Sequence, residues 1–106
     1  MVSHIVAIQP AAPTVNEVIT KVAQFYNLSV KLLTSQNRSR EVTQARHVAF
    51  YLSKELTDSS LTEIGFKMGH RTHATALHSI SLIKSQMEFD PVLRQQLAQI
   101  QTTVGK

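Results

Sequence analysis

Each apolar-periodic segment of this chain is introduced by a hydroxyl or carboxylate side chain placed to cap a helix, and no segment alternates as a strand does. Thr14 with Glu17, and Ser60 with Glu63, have the spacing of capping boxes, in which two side chains satisfy each other's free backbone amides. Ser29 precedes a short turn through Leu33, Thr43 is placed to start a long helix, and Thr72 another. Asp90-Pro91 sets proline at the first helical position behind a cap. Apolar residues then recur at helical spacing: Val15, Val18, Ile19, Val22 and Tyr26; Ala45, Val48, Ala49, Leu52 and Leu56; Leu77, Ile80 and Ile83; Leu93, Leu97, Ile100 and Val104. The stretch "TSQNRSREVT" is polar and unpatterned and reads as a loop. The predicted fold class is all-α, with five or six helices in one bundle.

A chain of 106 residues with 42% hydrophobic residues is an ordinary single globular domain. It has no cysteine, which excludes a disulfide framework, a thiolate nucleophile and a zinc-thiolate site. Net charge is +4, which favours an anionic partner, nucleic acid before membrane surface. No run approaches the roughly 20 apolar residues of a membrane span. The opening "MVSHIVAIQPAAP" lacks a basic n-region, so a signal peptide is not expected and the predicted location is cytoplasmic. Residues 1–12 read as an N-terminal arm and 13–106 as the domain.

The most unusual stretch is "LTEIGFKMGHRTHATALHSI". A short helix is expected from Leu61 to Met68, with Gly69 as the left-handed residue that ends it. A second helix then opens with a polar turn. That is the layout of a helix-turn-helix. Leu77, Ile80 and Ile83 supply an inner face, while Arg71, Thr72, His73, Ala74 and Thr75 supply a protruding turn able to meet base edges. Gly65 and Gly69 permit close approach of the two helices.

Other chemistries fit less well. His70 and His73 fall three apart, but His78 is five further on and has no acidic ligand close in sequence, so no metal is expected. The seven acidic residues are dispersed singly, and no catalytic constellation emerges.

The run "NRSREVTQARHVAFYLSKELTDSSLTEIGFKMGHRTHATALHS", with "VAQFYNLSVKLLTS" upstream, resembles the C-terminal DNA-binding domain of DnaA-type bacterial chromosomal replication initiators. "GHRTHATALH" corresponds to that family's G-G-R-D-H-T-T-V-L-H signature, and the resemblance extends from Val15 to Lys84. It implies a Trp-repressor-like helical bundle in which a helix-turn-helix reads the major groove and a basic loop reaches the minor groove. The helix expected at about 90–104 would be an addition at the C-terminal side.

By this resemblance Arg38 enters the minor groove, Arg40 and Arg46 lie near the DNA backbone, and Lys54 contacts phosphate. Arg71, His73 and Thr75 match signature residues, with Arg71 able to fork onto guanine. Thr72 replaces an aspartate, Ala74 a threonine, Thr62 a proline near a thymine, and His70 the second glycine. The implied partner is double-stranded DNA, read with a looser preference than the family's. The chain holds no G-x-x-x-x-G-K-[ST], so no nucleotide and no other cofactor is expected. Met1 and the altered signature favour a free-standing regulator over a fragment of a longer initiator. The competing expectation is a protein-interaction module on the same fold that has lost DNA binding.

Overall fold

The computed structural model describes residues 13–104, so the arm expected at 1–12 lies outside the described residues. Six helices follow one another: α1 (Val15–Phe25), α2 (Val30–Leu33), α3 (Arg40–Leu56), α4 (Leu61–Lys67), α5 (His73–Met87) and α6 (Pro91–Thr103). There is no strand among the described residues. No helix there is long and apolar enough to cross a membrane.

The caps form as their chemistry requires. Thr14, Ser29, Ser60, Thr72 and Asp90 each accept from the backbone amide three residues on, at 3.0–3.1 Å. Each satisfies an amide that helix geometry leaves without a partner, an interaction of about 1 kcal/mol. α1 ends with Asn27 at φ 58°, and Leu28 N–H returns 2.8 Å to the Ala23 carbonyl. Asparagine tolerates this left-handed conformation better than most residues.

α3 is the axis of the bundle and packs against all five other helices, most extensively against α5. Its residues Val48, Phe50 and Leu52 have no exposed surface. Replacing a buried phenylalanine such as Phe50 by alanine costs about 3–5 kcal/mol. α1 contributes Val15, Val18, Ile19 and Val22 to this core, α4 contributes Ile64, and α6 contributes Leu93, Leu97 and Ile100.

Two expectations are corrected. Thr43 does not start α3: the N-cap is Ser39, and Thr43 N–H already bonds to the Ser39 carbonyl at 2.9 Å. Asn37 Oδ1 accepts from Ser39 N–H at 2.8 Å and turns the chain early, while buried Val42 draws the first turn into the core. The loop therefore shrinks to residues 34–39. Leu77 is not on the inner face of α5 but is half exposed. The buried residues there are Ala76, Ser79, Ile80 and Ile83. The small Ala76 and Ser79 allow α5 close approach to the core, and hydropathy alone favoured the larger leucine next to them.

Candidate nucleic-acid interface

The site is built around loop 34–39. α2 ends at Leu33, so the carbonyls beyond it lack helical partners. Arg46 lies in α3 at a core position, four residues after buried Val42 and three before buried Ala49. It is only 6% exposed. Its Nε donates to the Leu33 carbonyl at 2.9 Å, and its Nη2 donates to the carbonyls of Ser35 and Asn37 at 2.9 and 3.0 Å. Arginine's rigid fork of donors suits such a set of acceptors.

Arg71 reaches the same loop from the other side. Its Nη2 donates to the Ser35 carbonyl at 2.6 Å, and its Nη1 donates to the carbonyls of Thr34, at 3.3 Å, and Met68. The Ser35 carbonyl thus accepts from both guanidiniums. Burial lowers the pKa of each from the ordinary arginine value, and for Arg46 the Arg71 charge adds to the effect.

The turn between α4 and α5 is tight against this arrangement. Gly69 (φ 95°) and His70 (φ 62°) are both left-handed. A Cβ at Gly69 would strike the Thr34 carbonyl and the Arg71 guanidinium. A Cβ at Gly65 would strike the Arg71 carbonyl, whose own amide donates to the Gly65 carbonyl at 2.7 Å. Both glycines are required by close approach. His70 is held on the edge of the exposed Phe66 ring, centroids 4.6 Å apart.

From this turn α5 emerges with Thr72, His73, Ala74 and Thr75 all exposed. Thr72 Oγ1 caps the helix and lies 3.1 Å from Thr75 Oγ1. Loop 34–39 and α5 border one open concavity, lined by Gln36, Arg38, Thr43, Arg46, Arg71 and His78. Behind it, His47 of α3 places Nδ1 2.8 Å from Oγ of the buried Ser79. Burial lowers the His47 pKa, with smaller contributions from His78, whose ring centroid is 6.4 Å away, and from Arg46.

A model of the family described as the bacterial dnaA protein helix-turn-helix matches residues 15–83. The chain belongs to this family. Its relatives include proteins called chromosomal replication initiator protein DnaA. That of Bacteroides fragilis is 37% identical over 106 residues, covering 100% of this chain and 22% of its own length. That of Bacteroides thetaiotaomicron is 32% identical over 106 residues, 100% of this chain and 23% of its own. That of Rickettsia canadensis is 40% identical over 84 residues, 79% of this chain and 18% of its own. The chain spans about a fifth of the length of the curated relatives it matches.

Within the family fold, the expected site residues divide. Arg38 stands exposed on the loop at the concavity. Arg40, the first residue of α3, is exposed but borders a different hollow, with Tyr26, Glu41 and Gln96. Lys54 is exposed fourteen residues further along α3, about 21 Å from Arg40 by helical rise. Thr62 is exposed in the first turn of α4. Arg46 and Arg71 also line the concavity, and main-chain carbonyls engage both guanidiniums. Arg46 was readable as a core position from its spacing to Val42 and Ala49. For Arg71 the sequence held no signal of the hold on the loop, because its two loop acceptors lie 36 and 37 residues away. His47, Ser79, Gln36 and the Ser35 carbonyl were also not anticipated.

Proposed function

We propose that this chain is a duplex-DNA-binding module with a sequence preference, acting in replication initiation or its regulation, or in transcription control. The observation that carries the reading is that Arg38 of the loop, Arg71 just before α5 and His78 of α5 line the same basic concavity. A sugar-phosphate strand lying along that concavity would have the minor groove on the side of Arg38 and the major groove on the side of Thr72–Thr75. Arg38 then enters the minor groove, where a narrow A·T-rich groove favours arginine. Arg40 and Lys54 neutralise phosphates. His73 meets a purine edge, Ala74 and Thr75 meet thymine methyls or base edges, and Thr62 packs near the same strand. No nucleotide, metal or membrane enters this reading.

The loosened preference follows from Thr72 and Ala74. Thr72 Oγ1 is already the helix cap and the neighbour of Thr75 Oγ1. It offers no negative acceptor to a cytosine amino group. Ala74 offers a methyl without a hydroxyl.

Selection from random duplex DNA, followed by a salt series on the selected site, tests the reading. Affinity should fall steeply with salt, with a log–log slope of about 0.9 per phosphate neutralised. Arg40→Ala and Lys54→Ala should each reduce that slope by about one, equally for all sequences. Selection of no duplex, or affinity indifferent to salt, would leave the protein-interaction module as the better account.

A further inference from the structure

We infer, building on the duplex-binding reading, that Arg71 and Arg46 are positioning residues that lock the minor-groove loop to the recognition turn, so that the two grooves are read as one unit. Arg71 belongs to the turn before α5, yet its guanidinium donates to the Thr34 and Ser35 carbonyls at the root of the loop and to the Met68 carbonyl at the end of α4. Arg46 holds the other end of the same loop through Ser35 and Asn37. Gly69 has no room for a Cβ because the turn already lies against the Thr34 carbonyl. Two separate features therefore join the loop to the turn, Arg46 ties the same loop to α3, and none of these is an exposed group. Arg38, by contrast, is exposed on the loop they hold.

Two like charges are brought together at the Ser35 carbonyl, which accepts from both. An arginine whose task was to meet DNA directly would keep its fork free. Arg71 instead has both terminal nitrogens engaged within the fold. Its removal should affect base pairs that it does not approach, namely those beneath Arg38.

The test uses Arg71→Lys and Arg71→Ala against the parent on three duplexes: the selected site, the site with its A·T flank replaced by G·C, and the site with single changes under the recognition turn. Melting curves establish that each variant is folded. Arg71→Lys keeps the charge but replaces a planar fork by a point donor. Flank preference should fall by roughly twofold to 150-fold in both variants, the range for residues sharing one hydrogen-bond network. Preference under the turn should persist, and the salt slope of Arg71→Lys should equal the parent's. Hydrogen exchange of the Ser39 amide, which bonds to Asn37 Oδ1, should quicken without DNA present. Loss of preference at a single guanine beneath the turn, with the flank preference intact, would make Arg71 a base reader and overturn the inference. A slope reduced by one in Arg71→Ala with flank preference intact would make it a phosphate contact and overturn it equally. If the parent binds no duplex, the duplex-binding reading fails, while unchanged exchange at Ser39 still disproves the lock and faster exchange still supports it.

Discussion

The four arginines at one end of this molecule have two kinds of surroundings. Arg38 and Arg40 stand on or beside the loop, exposed to solvent. Arg46 and Arg71 sit beneath it, engaged with its carbonyls. The residue type is the same, so neither composition nor net charge separates them. The difference comes from where α2 stops. A four-residue helix leaves its terminal carbonyls without internal partners, and a buried carbonyl needs a donor. Two arginines meet that need, and Arg38 stands exposed on the loop whose carbonyls they satisfy. The basic excess is thus divided between groups engaged inside the fold and groups exposed to solvent.

The largest expected effect separates the two kinds directly. Arg46→Ala removes donors from the carbonyls of Leu33, Ser35 and Asn37 together. Leaving one buried and two part-buried acceptors unmet should destabilise the fold by about 2–4 kcal/mol, a fall of roughly 10 °C or more in melting temperature. Arg38→Ala should leave the melting temperature unchanged and weaken binding, most strongly on A·T-rich flanks. Thermal denaturation of both variants beside a binding assay decides the matter. Equal melting temperatures for the two would erase the distinction.

A smaller effect concerns the turn that Arg71 anchors. Thr72→Asp with Ala74→Thr restores two side chains of the family signature at exposed positions. Discrimination at the bases beneath them should sharpen by roughly 1–3 kcal/mol per regained contact. Asp is also a good helix cap, so the change should not cost stability. Titration on single-base variants of the selected site measures this. If the parent already discriminates as sharply there, Thr72 and Ala74 do not account for a loosened preference.

How much of this was legible beforehand follows from the range of each interaction. The capped helix starts at Thr14, Ser29, Ser60, Thr72 and Asp90 depend on residues three apart, and each was readable. The all-α class and the helix-turn-helix followed from them. The start of α3 was misplaced because Ser39 has no side-chain cap bond to announce it. Leu77 was misassigned because a helix face is set by which side fits closely, and Ala76 and Ser79 fit better than a bulky leucine. The exposure of Thr72 to Thr75 agrees with a protruding turn, but the hold on the loop was invisible. It depends on carbonyls, which every residue has, brought to Arg71 by the tertiary fold.

The turn carries a further, smaller signature of the same anchoring. His70 adopts φ 62° at the position of the family's second glycine. A side chain with a Cβ adopts this conformation at a cost of about 1–2 kcal/mol, partly offset here by the ring contact with Phe66. His70→Gly should therefore raise stability by about 0.5–1 kcal/mol and leave the Arg38-dependent flank preference intact. Urea denaturation reads the first and duplex titration the second. A destabilised variant would show that the Phe66–His70 contact outweighs the strain.

The smallest effect extends the comparison to a group that can change sides with pH. His47 lies behind the concavity, with Ser79, His78 and Arg46 as its polar and charged neighbours. Burial, then His78, then Arg46 hold its pKa below the ordinary 6.5, so the folded protein resists a proton that the unfolded chain accepts. The sign follows: this contribution to stability is present above pH 6.5 and is lost as pH falls from there toward the folded-state value, below which it falls no further. Acidification through that range therefore adds positive charge at His47, beneath the site. His47→Gln can still hydrogen-bond Ser79 but does not titrate, so it should remove part of the acid-side decline in stability. Melting temperatures of parent and His47→Gln, followed from pH 8 to pH 5, measure the difference. Parallel curves would mean that His47 takes its proton as readily folded as unfolded, and that the strain of like charges beneath the loop is confined to the two arginines.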